Sequence, residues 1–170
     1  MYEYMKKAVT KLMSEFYELK VEQLMDKKMW DLPMIKRDDT INHVLSILDG
    51  KSHVWVVNDL KEKQLVGVIT RHDVLQILAP PRTYYPMFGF PRFYHHGTIG
   101  KAEDIMTHDP ITCQGDEKII DVLLKMIRHR IRRLAVVKDG KIEGEITLRH
   151  LIHKYYKATQ YHPIVEKDND

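Results

Sequence analysis

Between Ile41 and Leu48 the apolar residues fall at Ile41, Val44, Leu45 and Leu48, a spacing of i, i+3, i+4 and i+7 that predicts one face of a helix. The same spacing returns at Ile119, Val122, Leu123, Met126 and Ile127. Asp38 or Asp39 before the first helix, and Asp116 before the second, stand where an N-cap is wanted. The runs HVWVV (His53 to Val57) and LAVV (Leu134 to Val137) are short and rich in β-branched residues, as strands buried on both faces would be. Asp139-Gly140 predicts a tight hairpin, and the matching place in the first half holds a longer polar turn, Asn58 to Lys63. Residues 1–20 carry Met5, Val9, Leu12, Met13 and Phe16 on one side, which predicts an amphipathic helix covering core or a dimer seam rather than lying on a membrane.

These elements come in a repeated order. From Val21 the chain reads VEQLMD, LPMIK, DDTINHVLSIL, HVWVVND, QLVGVIT and RHDVLQIL. From Lys101 it reads KAEDIMTHD, PITCQ, DEKIIDVLLKMI, RRLAVVKD, KIEGEIT and LRHLIHKYY. Six segments agree in order, and insertions fall only where loops belong. Each copy predicts strand, helix, strand, strand, helix. A unit of some 55 residues buries too little surface to be comfortably stable alone, so two are expected to share a core. The organisation is an N-terminal helix at 1–20, a first repeat at 21–79, a linker at 80–100, a second repeat at 101–158 and a tail at 159–170. The linker is rich in proline and aromatic residues, and it is expected to pack as a strap or as a dimer contact.

Composition narrows the class. Of 170 residues, 44% are hydrophobic and 30% charged, a globular balance. The single cysteine, Cys113, excludes an internal disulfide and suits a reducing, cytoplasmic setting. The apolar runs are far shorter than the roughly 20 residues of a membrane span, and the N-terminus lacks the apolar stretch of a secretion signal. A net charge of +3 is too small to argue for nucleic acid by itself.

The candidate chemistry lies in one phrase said twice, GVITRHDVL (Gly67 to Leu75) and GEITLRHLI (Gly144 to Ile152). Thr70 followed three residues later by Asp73 is a capping box, which alone accounts for the pattern. The same geometry also suits a nucleoside phosphate. A helix N-terminus and a threonine hydroxyl attract phosphate, and a carboxylate one turn on accepts from both hydroxyls of a ribose.

Tandem strand-helix-strand-strand-helix copies, each with Gly-x-x-Thr before its last helix, resemble a pair of CBS domains, the Bateman module. The resemblance spans residues 21–157, with DIMTHDPIT and GVITRHDVL close to the family's wording. It implies an α/β (α+β) fold of tandem βαββα repeats packed about a pseudo-twofold axis, with two clefts for an adenosine compound: AMP, ADP, ATP or S-adenosylmethionine. Carried over, it assigns Val68, Ile69, Thr70 and Asp73 to the first cleft. Ile111 and Thr112 border the base there, and Arg130, Arg132 and Arg133 of the run RHRIRR reach the phosphates. The second cleft takes Thr147 and His150, with Met34 and Ile35 at the base and Lys51 and His53 opposite. There His150 replaces the ribose acid, and Glu145 stands where the family has an apolar residue. A neutral histidine offers one acceptor against the several lone pairs of a carboxylate, so this cleft is expected to be weak or empty for an adenosine ligand.

The reading is thus of a stand-alone regulatory sensor acting through a change of shape or partner, a homodimer with an unidentified effector protein and no membrane contact. It requires no cofactor beyond the regulatory ligand. The alternative is a nucleic-acid-binding, structural dimerisation or adaptor module with vestigial clefts, for which RHRIRR would be the patch. The ten histidines form no recognisable metal-ligand set with acids or cysteine, so no metal site is assigned. No nucleophile elbow, Walker loop or activated cysteine is present, so no catalytic residue is assigned and no enzyme is expected.

Overall fold

A computed structural model describes residues 2–78 and 100–160. The expectations for the linker at 80–100, bar Gly100, and for the tail beyond residue 160 lie outside the described residues. The chain forms two compact units that cut across the repeats, named here for their place in the chain. The central unit comprises residues 30–78, 100–110 and 139–142; the terminal unit comprises 2–29, 111–138 and 143–160.

In the central unit, strands β1 (Met34–Lys36), β2 (His53–Val57), β3 (Leu65–Thr70) and β4 (Thr107–His108) form one sheet in that order. β1 runs parallel to β2, and the other neighbours are antiparallel. All five residues of β2 are buried, as an apolar run without alternation requires. Helix α2 (Ile41–Gly50) lays Val44 and Leu48 into the core, with Ile41 and Leu45 half-buried beside them. Its cap is Thr40, whose Oγ1 accepts from His43 N–H at 3.3 Å, and not the expected aspartates. Asp39 instead accepts from Lys36 N–H at 2.8 Å, which closes the turn out of β1. Helix α3 (Leu75–Leu78) begins later than the phrase GVITRHDVL suggests, because Arg71 to Val74 form a turn.

In the terminal unit, β5 (Thr112–Cys113), β6 (Arg133–Lys138) and β7 (Lys141–Thr147, its first two residues in the central unit) form a second sheet in that order. Helix α4 (Ile119–His129) buries Ile119, Val122 and Met126. Ile127, expected on that buried face, is instead 73% exposed. Lys118 occupies the N-cap position of α4 with no side-chain bond, so Asp116 does not cap it. Helix α1 (Tyr2–Glu18) seats Phe16 in the core, edge-on to Tyr155 of helix α5 (Leu148–Gln160) at 5.8 Å. The expected amphipathic helix therefore covers the core of this unit. Asp139 and Gly140 both have positive φ (51° and 76°), the tight hairpin that Asp-Gly predicts.

Each unit is completed by the leading segment of the repeat whose other strands lie elsewhere. In the terminal unit the 3₁₀ turn Val21–Gln23 hydrogen-bonds to Glu117 and Gly115 carbonyls at 2.9 Å, and Asp26 pairs with Glu145. In the central unit the 3₁₀ turn Ala102–Asp104 bonds to the Asp39 and Arg37 carbonyls at 2.8 and 3.0 Å, and β4 pairs with β3 opposite Gly67. The first strand expected of each copy, within LPMIK and PITCQ, is β1 in one and β5 in the other.

Candidate functional site

Strand register brings part of the candidate set together within the central unit. His53 lies opposite Thr70 across the β2–β3 ladder, and Asp73 sits three residues beyond Thr70. Asp73 Oδ2 accepts from Thr70 N–H at 2.7 Å and from Thr70 Oγ1–H at 2.8 Å. Both Thr70 hydrogens are consumed, and Oδ1 of Asp73 has no hydrogen bond among the described residues. The pair therefore presents acceptors: one carboxylate oxygen and the lone pairs of the threonine hydroxyl. Arg71, between them in sequence, turns away; its Nε donates to the Leu48 carbonyl at 3.0 Å and Nη2 to that of Asp49 at 3.3 Å, ending α2.

The other candidates of this unit differ in reach. Val68 is half-buried, but Ile69 and Ile35 have no exposed surface. Met34 is half-buried. Lys51 is held by Asp31 in an ion pair of 2.7 Å. His53 is 5% exposed and stands edge-on to Trp55 at 5.2 Å between ring centres.

The terminal unit carries the second phrase. Thr147 caps α5: its Oγ1 accepts from His150 N–H at 3.3 Å, and His150 Nδ1 accepts from Thr147 N–H at 3.3 Å. This is a reciprocal capping box with imidazole in place of a carboxylate. Leu148 N–H donates to the Arg132 carbonyl at 2.8 Å, which sets the arginine run beside the start of α5. Arg130 takes a left-handed conformation (φ 53°) and closes α4; its side chain and that of Arg132 are exposed. Arg133 is half-buried, and burial pushes its pKa down from the ordinary value while Glu145 acts to raise it. Ile111 is at the edge of exposure and Thr112 is half-buried, its carbonyl accepting from Lys125 Nζ at 3.0 Å. Lys125 also grips both carboxylate oxygens of Glu117 at 2.7 and 2.9 Å, tying β5 to α4. The residues grouped in each cleft by resemblance thus belong partly to one unit and partly to the other.

The glycines of both phrases are fixed by close approach, a signal that the spacing alone does not carry. A Cβ on Gly67 would stand 2.5 Å from Met106 Sδ and 3.1 Å from the Thr107 carbonyl. A Cβ on Gly144 would strike the Asp26 carbonyl oxygen. Each glycine therefore lets a leading segment cross the strand that ends in the threonine.

Cys113 is buried, and desolvation, with Glu117 adding to it and Lys125 opposing, pushes its thiol up to about 12. Among the described residues no group of histidines, cysteines and acids is placed to hold a metal ion, and no helix is long and apolar enough to cross a membrane.

Comparison with known proteins places this arrangement. The chain is 31% identical over 109 residues to a homoserine O-acetyltransferase from Methanosphaera stadtmanae, covering 64% of this chain but only 18% of that enzyme. It therefore spans about a fifth of the length of the curated relatives it first matches. Among solved structures, a CBS domain pair in complex with 5′-methylthioadenosine and S-adenosyl-L-methionine superposes with a TM-score of 0.60 at 24% identity, over 82% of this chain and 97% of the other. The CBS domain of a bacterial CNNM/CorC family Mg2+ transporter in complex with ATP gives a TM-score of 0.66 at 18% identity, over 89% and 97%. These structures share the fold. The sequence pattern of the CBS domain matches residues 21–80 and again 102–157, and with both copies of the doubled phrase inside those spans, the chain belongs to the CBS domain family.

Proposed function

We propose that this chain is a non-catalytic regulatory module that binds an adenosine-containing ligand, AMP, ADP, ATP or S-adenosylmethionine, chiefly through Thr70 and Asp73. The carrying observation is the open Oδ1 of a carboxylate whose other oxygen is already fixed on Thr70. A held carboxylate with a free oxygen suits the donor hydroxyls of a ribose, and it needs no rearrangement to receive them. The family's solved members with S-adenosylmethionine and with ATP support this ligand class. The resemblance adds Val68, Ile69, Ile111 and Thr112 to the nucleoside side, and Arg130, Arg132 and Arg133 to the phosphates. Signalling follows if the ligand binds one arrangement of the chain, or one partner complex, better than another.

A homodimer is part of the proposal. Leu124 and Ile127 on α4, and Ile152 and Tyr156 on α5, are each more than half exposed. Each pair lies at a helical i, i+3 or i, i+4 spacing, so each helix offers an apolar row for a second copy.

Titration calorimetry with ATP, AMP, S-adenosylmethionine and a short RNA tests the reading. An adenosine compound is expected to bind, and Asp73→Ala to weaken it about tenfold or more, the loss of one hydrogen bond to a charged group. Binding of RNA alone, falling steeply with salt, would favour the nucleic-acid reading instead.

A further inference from the structure

The exposed apolar rows on α4 and α5, both in the terminal unit, differ in the charge that accompanies them. On α4 the outward positions Asp121, Leu124 and Arg128 fall at i, i+3 and i+7, with Ile127 beside them, and all four are exposed. Acid and base stand two turns apart, so two copies laid antiparallel on this row would bring each Asp121 to the other's Arg128. The row is its own complement.

On α5 the apolar row is Leu148, Ile152 and Tyr156, at i, i+4 and i+8, and all three are exposed. One edge of it adjoins the buried side of the helix, where Leu151 and Tyr155 meet the core. The other edge adjoins Arg149, His153 and Lys157, at the same spacing and also exposed. The 13 residues of α5 include no acid, whereas α1, α2 and α4 each carry at least one. Neither Arg149 nor Lys157 forms an ion pair among the described residues.

This combination selects among occupants. A second copy would set these cations against their like, with no acid on either helix to offset them. A nucleic acid answers the charge but leaves Leu148 and Ile152 against a polar, hydrated backbone. A bilayer takes up the main apolar face of a helix, and on α5 that face is spent on the core. A peptide segment with acids beside an apolar row answers both features at once.

We propose that the α5 row is the docking site for an acidic amphipathic segment of another protein, the effector of this module, and that a second copy uses α4. The inference rests on the regulatory reading above and divides the two rows named there between two partners.

The test uses the full chain and two labelled peptides, followed by fluorescence anisotropy. One repeats leucine at helical i, i+4 spacing with glutamate alongside; the other has lysine in place of glutamate. The glutamate peptide is expected to bind and the lysine peptide to fail. Reversing the charges with Arg149→Glu and Lys157→Glu together should weaken the glutamate peptide about tenfold or more and admit the lysine peptide. Ile152→Ser should cost about tenfold as well. An equal reversal elsewhere on the unit, Lys27→Glu with Lys28→Glu, should change binding by less than about twofold. In sedimentation velocity the α5 variants should self-associate like the unmodified chain. Asp121→Arg should weaken self-association, and Arg128→Asp added to it should restore it. Thermal unfolding checks that every variant remains folded.

The proposal is overturned if neither peptide binds, or if the Lys27 and Lys28 reversal weakens binding as much as the α5 reversal. It also falls if a short RNA, or vesicles of phosphatidylserine and phosphatidylcholine, bind at Arg149 and Lys157 more tightly than the peptide. Loss of self-association in Ile152→Ser would give the row to a second copy. Peptide binding only after Glu166, Asp168 and Asp170 are changed to their amides would give it to this chain's own tail. Calorimetry with adenosine compounds is read separately: its failure removes the proposed ligand and leaves the peptide result standing, and the reverse holds equally.

Discussion

Gly67 and Gly144 hold equivalent places in the two repeats, yet different atoms press on them. Over Gly67 the nearest neighbour is the flexible end of Met106, with the Thr107 carbonyl somewhat farther away. Over Gly144 it is the backbone oxygen of Asp26, held in a two-way bridge to Glu145 with hydrogen bonds of 2.9 and 3.2 Å. The same duplicated geometry therefore rests on a yielding side chain in the central unit and on main chain in the terminal unit. Tolerance to change at equivalent positions should differ accordingly.

The largest expected effect breaks this comparison directly. Gly144→Ala should cost about 3 kcal/mol and Gly67→Ala about 1, since overpacking is expensive where the neighbour cannot move. Urea unfolding of both variants measures the gap, and equal losses would show that the Asp26 bridge yields as readily as Met106. A smaller effect compares the turns. Asp73 accepts two hydrogen bonds as a charged group, while His150 accepts one as a neutral ring and gives one from its backbone. Asp73→Ala is expected to cost about 2 kcal/mol and His150→Ala about 0.5 to 1, as thermal denaturation would show.

A third effect, confined to alkaline pH, concerns Cys113, which gives the terminal unit an alkaline weakness that the central unit lacks. Its thiol is raised to about 12 in the folded protein, with the ordinary value at 9.0. Below that ordinary value the stability contribution is complete. As pH rises from there toward 12 the unfolded thiol ionises and the folded one does not, so stability falls. Cys113→Ala should remove this slope in an unfolding series from pH 8 to 10.5. In the unmodified protein near pH 8, alkylation of Cys113 should proceed only as fast as unfolding exposes it.

Much of the fold is legible in the residue pattern itself. The buried faces of α2 and α4, the fully buried β2 and the Asp139-Gly140 hairpin all follow from local spacing and turn chemistry. The Thr70–Asp73 contact follows from its three-residue interval. The departures share one cause. Asp39 looks like a cap in isolation but is claimed by Lys36 N–H, leaving the role to Thr40. Ile127 fits the helical stripe, but the stripe of α4 is narrower than its apolar residues. Arg71, one residue past Thr70, carries no local sign that the carbonyls at the end of α2 take its guanidinium. In each case a competing partner, or the width of a contact, decides between local options of similar energy. The crossings over Gly67 and Gly144 have no local signature at all.

The leading segments that complete each unit also order events during synthesis. Among the described residues the central unit draws on 30–78, 100–110 and only four later ones, 139–142. It can close while the second half of the chain is still being made. The terminal unit joins Val21 to Glu117 and Asp26 to Glu145, so residues 2–29 must wait for strands more than 90 positions away. During that interval Phe16 and Val21 lack the core that later buries them. The nascent N-terminal helix is therefore the segment that most needs shielding on the ribosome. Truncation shortly after residue 110 should leave the central unit largely formed and the N-terminal helix exposed to proteases.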